Sequence, residues 1–426
     1  MAAGPKQHMP VDIIIAGAGL SAQIAALALA HAGFDVAMPS VPSEVTDIRR
    51  DDDMALWQSV VALSPHVGHM FGHLGVVAGS FGCIENMQLD VRSSDQDAPL
   101  KPDLIFPAAQ TAPIDKDTDS TSYLANVYSL AGLTQAVLRA VHMSGRIRFI
   151  DAPLVHFRDG IATLANDETL SAYLCVDSSG RHSSVRQDAG IAIAHGIYDQ
   201  DAITTWLKLS RPHLQTARQY FTPYGPLALL PLPFGSHVAL VWSQERARAD
   251  ALIQTSDDIF RYCLEEVIGQ GMVEDMGSRQ KISLEYLLAE TFCQDGLILI
   301  GESAHVVHPL AGQGLNLTCR DIAQLVDVLT KARHMGLGLR APTLLDDYAI
   351  GRRADAALTL GLTHGLKHIL QPLRPTAVPA EVFRVAGTLL KDVPGLSAYF
   401  EQQATTGFGE VPSLFRGPEA HSSEAN

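Results

Sequence analysis

The sequence predicts a doubly wound α/β protein with a second, mainly antiparallel β-sheet domain and C-terminal helices. Three observations carry this. A continuous apolar strand at Val11 to Ala16 runs into the glycine turn GAGLSA and then an alanine-rich helix. Between Ile191 and about Leu284, short runs rich in Ile, Thr, Trp and Val are separated by Pro and Gly clusters. Near residue 300, an apolar strand again meets glycines and then a helix.

The bulk numbers bound the answer. At 426 residues with 47% hydrophobic content, the chain is long enough to fill the cores of two or more domains. A formal charge of −15 leaves no basic stripe for phosphates, so nucleic acid is excluded as a partner. The 5 cysteines are scattered, show no ligand spacing and read as buried thiols of a reducing compartment. The N-terminal MAAGPKQHMPVD has no signal-peptide core, and no run of apolar residues spans a bilayer. A cytoplasmic protein is expected, with peripheral membrane contact left open.

In chain order, the first strand leads to a helix over Ala22 to Ala32 and a strand at Phe34 to Met38. Between Asp47 and Pro113 charge clusters alternate with Gly and His, which reads as loops and short helices. Tyr123 to Val141 has helical periodicity; Arg146 to Ile150 and Leu170 to Val176 read as strands, as do Ala202 to Leu209 and His237 to Trp242. Gly296 to Ile300 is a buried strand, and helices follow at Leu315 to Met335 and Leu344 to Ile369. The polar residues beyond Gly417 read as a disordered tail.

Gly17 permits the tight turn, Gly19 lets backbone approach a diphosphate, and Ala22 is the small third position of GxGxxA. Leu20, Ser21 and Ala22 open the helix whose N–H groups would face the phosphates. No acidic residue follows at the ribose position, where Ser40 stands. In the second junction, Gly301 and Glu302 leave the strand, and Gly312, Gln313 and Gly314 precede a helix opening at Leu315 and Asn316. His305 and His308 are three apart, but no HExxH or third ligand accompanies them, and no metal site is expected.

The segment GESAHVVHPLAGQGLNLTCRD resembles the second FAD motif of flavin-dependent aromatic hydroxylases. HPLAGQGLN is nearest to the ubiquinone-biosynthesis hydroxylases, the group that includes UbiH, UbiI, UbiF and Coq6. YGPLALLPLP (Tyr224 to Pro233), SSGRHSSVRQDAGI (Ser178 to Ile191) and PSLFRG (Pro412 to Gly417) extend the resemblance over nearly the whole chain. It implies a Rossmann-like FAD-binding domain of the aromatic-hydroxylase type, split as 1–190 and 287–345, with the substrate sheet at 191–286 and a helical region and tail at 346–426. It further implies FAD along Gly17, Gly19 and Ala22, Glu302 on the ribityl chain, and Pro309 to Asn316 along the flavin ring.

By the same resemblance, His308, Pro309, Gly312, Gln313 and Gly314 would border the reacting ring. NADH or NADPH would reduce the cofactor, and O2 would be consumed to hydroxylate a polyprenylated phenol in ubiquinone biosynthesis, within a complex of sister enzymes. The flavin would carry the chemistry, with no obligatory protein base. Four positions depart from the pattern: Ser40, Asp52 in the alignment to Ala55 and Leu56 (with Arg49 or Arg50 as the substitute), Ser179 beside Gly180, and Glu302 with Thr318. They leave open a weakly FAD-binding scaffold or lipid-binding paralogue, and a hydroxylase of soluble aromatics is the third reading.

Arg181 and Arg186 are candidates for NAD(P)H phosphates. Phe221, Tyr224 and Leu230, on and beside the sheet segment, are candidates for the substrate pocket. The amphipathic stretch Leu358 to Leu373 is read as core packing ahead of a membrane-docking face.

Overall fold

A computed structural model describes residues 10–39, 54–91, 104–107, 123–222, 224–308, 312–370 and 411–416. Its first sheet has five parallel strands in the spatial order Leu297–Leu299, Thr169–Asp177, Val11–Ala16, Val36–Pro39 and Ile147–Ile150. Val11–Ala16 is central, and Ile13, Ile14 and Ile15 are wholly buried, because both faces of a parallel sheet are covered. One cover is the helix Leu20–His31, buried without a break from Ala22 to Ala30. Its alanines allow close approach by the helices Leu130–Met143 and Gln313–His334 on either side.

The second sheet has nine strands. Its main path runs His305–Val306, Gln280–Ala289, Ile193–Leu209, His237–Glu245, Gly225–Pro231, Thr216–Thr222, Asn86–Val91 and Leu104–Pro107, with Val273–Met276 pairing Ile193–Leu209. It therefore draws strands from residues 86–107 and 305–306 as well as from the central region. One face packs Ile203, Leu207, Tyr220, Leu227, Leu240 and Trp242 against the helices Arg246–Gln254 and Asp257–Ile268. The alternate residues Trp206, Ala217, Leu230 and Ala239 meet Trp57, Ile84 and Val127 outside the large sheet. There a small antiparallel sheet, Val60–Leu63, Ala125–Ser129 and Phe81–Ile84, closes on the large one. A Cβ at Gly82 would lie 2.0 Å from the Pro231 carbonyl oxygen, so only glycine fits the joint.

Three element expectations are corrected. Tyr123 to Val141 is not one helix: Ala125–Ser129 is a strand, and Ser129 caps the helix that follows, its Oγ accepting from the Gly132 N–H at 3.2 Å. The stretch read as loops and short helices contains, in its described part, four strands and the helix Pro65–His73. Strands of four to six residues are too short to show alternation and are defined by distant partners. Ile193–Leu209 is 17 residues long, with a register shift between Ile197 and Asp201 that interrupts its pattern.

Candidate cofactor and active site

The first glycine turn lies at the carboxyl end of the central parallel strand. Gly17 has φ +111°, and a Cβ there would come 2.5 Å from the Ser178 carbonyl oxygen, so the turn is glycine because it packs directly on the neighbouring strand's end. Gly19 is different. It is the N-cap of the Leu20–His31 helix, at φ −70°, with no side-chain cap, and a Cβ there would meet nothing within 4 Å. Gln23 steadies the turn by donating from Nε2 to the Ala18 carbonyl at 2.9 Å.

Asp177, at the end of the adjacent strand, escaped the sequence reading. Its wholly buried carboxylate accepts from the Ser179 N–H (3.0 Å), Ser179 Oγ (2.6 Å) and Ser183 Oγ (2.5 Å). Burial pushes its carboxyl upward, opposed by those hydrogen bonds. The departure at Ser179 is thus matched by an inward carboxylate two residues earlier. Ser303 Oγ donates to the Asp177 carbonyl at 2.5 Å, and Arg186 donates to the carbonyls of Ser303 (2.8 Å) and Arg181 (2.7 Å). Gly180, at φ +95° with open space at its Cβ position, completes a unit joining the two turns.

Gly301 has φ +57°, donates its N–H to Asp321 at 3.0 Å, and would bring a Cβ within 3.1 Å of the Thr318 side chain. Asp321 also binds His305 Nε2 (2.7 Å) and Arg352 Nε (2.8 Å), all three groups being buried. Arg352 and Arg320 share Asp355 beyond it, at 2.7 and 3.1 Å. Burial would raise the Asp321 carboxyl, but His305 and Arg352 hold it below the usual range. The network was not anticipated; the RD pair at 320–321 and the arginines at 352–353 were its only sequence signal.

The helix Gln313–His334 starts at Gly312, left-handed at φ +62°, without a side-chain cap. Gly314 has open space at its Cβ position, while Leu315 is half-buried against the core. Asn316 is spent on structure: Oδ1 accepts from the Ser64 N–H (2.9 Å), and Nδ2 donates to the Ala62 (2.9 Å) and Gly312 (3.0 Å) carbonyls. The Ala-Leu pair meeting this helix is therefore Ala62–Leu63, not Ala55–Leu56. The chain contains both pairs, and only three-dimensional pairing separates them.

Ala62 faces the apolar side of the large sheet, in one cluster with Trp206 and Leu230. His308 is fully buried and meets Tyr198 edge-on, ring centroids 5.2 Å apart; Tyr198 in turn contacts Tyr286 at 5.5 Å. Phe221 alternates with Tyr220 and shares the face of Ala217 and Leu230. Tyr224 is exposed at the hairpin, beneath the Arg248 guanidinium at 4.0 Å. Gln313 is half-buried in the first turn of its helix, and Leu20 and Ser21 are half-buried in theirs. Ser40, Arg49, Asp52 and Pro309 lie outside the described residues.

These residues fit FAD. Two helices begin on glycine N-caps without side-chain caps or acidic residues in their first turns, while the carboxylates nearby, Asp177 and Asp321, are turned inward and spent. Gly19, Gly180 and Gly314 leave open the space that side chains would fill.

Comparison with known proteins agrees. A family model described as an FAD binding domain matches residues 158–361. A ubiquinone hydroxylase, UbiL, of Rhodospirillum rubrum is 38% identical over 49% of each chain. The 3-demethoxyubiquinol 3-hydroxylase of Escherichia coli is 34% identical over 45% of this chain and 49% of its own. These alignments span about half the length of those relatives, whereas an uncharacterised protein of Synechocystis is 28% identical over 95% of both. Among solved structures, PqsL of Pseudomonas aeruginosa, described as a probable FAD-dependent monooxygenase, superposes with TM-score 0.69 at 19% identity, covering 89% of this chain and 100% of its own.

The class this defines is a fold shared with PqsL in which residues 158–361 match an FAD binding domain. Over about half its length the chain resembles ubiquinone hydroxylases.

Proposed function

We propose that this protein is an FAD-dependent monooxygenase that hydroxylates the ring of a polyprenylated phenol in ubiquinone biosynthesis, using NADH or NADPH and O2. The observation that carries the reading is a pair of packed helices that start on glycine caps, Gly19 and Gly312, the second bonded through Asn316 to the Ala62 strand that packs on the apolar face of the second sheet. Bound FAD would supply the transfer of reducing equivalents and the activation of O2.

The chain's own residues bind, orient and exclude water. Gly17, Gly19, Leu20, Ser21 and Ala22 would hold the diphosphate, with Gly180 and Gly301 keeping the adjoining turns close and Glu302 available to the ribityl hydroxyls. Gly312, Gln313, Gly314, Leu315 and Asn316 would border the flavin ring, and Asn316 fixes the Val60–Leu63 strand against their helix. Phe221 and Leu230 offer the substrate an apolar wall, and His308 with Tyr198 and Tyr286 closes the site to water. Burial, with Tyr286 adding, pushes the Tyr198 phenol up to about 12, so it stays protonated at neutral pH.

Testing requires purified protein with added FAD, assayed for O2-dependent NAD(P)H oxidation with prenylated and unprenylated phenols. Stimulation by the prenylated phenol supports the reading. Equal stimulation by soluble phenols points instead to a hydroxylase of soluble aromatics. A membrane-dissolved substrate requires a surface contact. Among the described residues, no helix is long and apolar enough to cross a membrane.

A further inference from the structure

We propose that Arg181 is a positioning residue for Glu302, and that Glu285 on the antiparallel sheet sets Arg181, so that both domains jointly orient the cofactor carboxylate. This rests on the FAD reading of Glu302.

Arg181 grips Glu302 along one edge, with Nε to Oε2 at 3.1 Å and Nη2 to Oε1 and Oε2 at 3.0 and 2.9 Å. Its remaining nitrogen, Nη1, pairs with Glu285 Oε1 on the Gln280–Ala289 strand. Glu285 is itself held, its Oε2 lying 2.8 Å from His195 Nε2 on the neighbouring strand. The backbones are pinned as well, because the single buried guanidinium of Arg186 binds the carbonyls of both Arg181 and Ser303, the residue after Glu302.

An isolated exposed ion pair constrains little. This arginine is held at its backbone and on two edges of a planar fork, which fixes direction as well as distance. Glu302 keeps 52% of its side chain exposed, so a ligand can reach the edge that Arg181 does not cover. Both Arg181 and Arg186 are engaged with protein groups, which directs their role to shaping the site rather than to capturing the phosphates of the nicotinamide cofactor.

FAD affinity, read by flavin fluorescence titration, tests the proposal, with apo-protein melting as a control for folding. Arg181→Gln should raise the FAD Kd about three- to ten-fold, a loss on the scale of charge-assisted hydrogen bonds. Glu285→Gln, on the other sheet, should raise it about two-fold or more in the wild type and leave it unchanged in the Arg181→Gln background. Likewise, Arg181→Gln should cost nothing further once Glu302→Gln is present. Equal losses in both backgrounds, or no effect of Arg181→Gln, overturn the proposal while leaving the FAD reading intact. A wild type that binds no FAD overturns both.

Discussion

Gly17 and Gly19 are two positions apart and should respond oppositely to a single methyl group. At Gly17 an alanine would place Cβ 2.5 Å from the Ser178 oxygen at a positive φ, so Gly17→Ala should destabilise the apo-protein by about 1–3 kcal/mol, seen as a lower melting temperature. Gly19→Ala fits the backbone and meets open space, so melting should be unchanged while the FAD Kd rises. Asp321 makes a third case. Asp321→Asn leaves the buried Arg352 and Arg320 to share Asp355 alone, an excess of buried positive charge, and a loss of about 3–5 kcal/mol is expected in chemical denaturation. At this scale the glycines were legible in the sequence because each is demanded by local backbone. Asp177, Asp321 and Arg352 were not, since a buried carboxylate and a solvated one look alike until their partners are placed.

The helix Pro65–His73 and the C-terminal turn Ser413–Phe415 meet although 340 or more residues separate them. His69 Nδ1 lies 3.3 Å from the Phe415 oxygen and His73 Nε2 lies 2.9 Å from that of Arg416, while Phe415 is fully buried. Phe415→Ala should therefore cost about 3–5 kcal/mol, because Leu414 and Phe415 are part of the main core. His66 rests against the same phenylalanine, centroids 6.1 Å apart, and burial followed by repulsion from His69 lowers its pKa from 6.5 to about 4. The unfolded chain thus binds more protons than the folded one between those values, and stability should fall as pH drops from 6.5 toward 4. Melting temperatures of wild type and His66→Gln over that interval check this, with the variant expected to lose less. Long, strongly patterned elements such as Leu20–His31 and Gln313–His334 were readable within a few residues, whereas Ala125–Ser129 was absorbed into a neighbouring helix. Its five residues have no period of their own, and their pairing with Val60–Leu63 and Phe81–Ile84 is what makes them a strand.

For the whole molecule, the described part of the Leu358 to Leu373 stretch favours packing over a free membrane face, since Leu360 rests on the main core and Thr363 is buried. A charge of −15 gives no general attraction to anionic lipid, so binding to vesicles should not strengthen as salt is lowered. Overall architecture was legible because two glycine junctions and a β-rich middle suffice to define it. The domain joint was not, because it depends on Gly82 against Pro231 and on strands from three regions of the chain. The proposed function requires the two glycine-capped helices and the turns braced by Asp177 and Asp321 to form a working FAD site. The most direct test is the visible spectrum of purified protein titrated with FAD, wild type beside Gly19→Asp. A saturable bound-flavin spectrum in the wild type, lost in a variant of equal melting temperature, is the predicted result; a colourless wild type that added FAD cannot restore would contradict it.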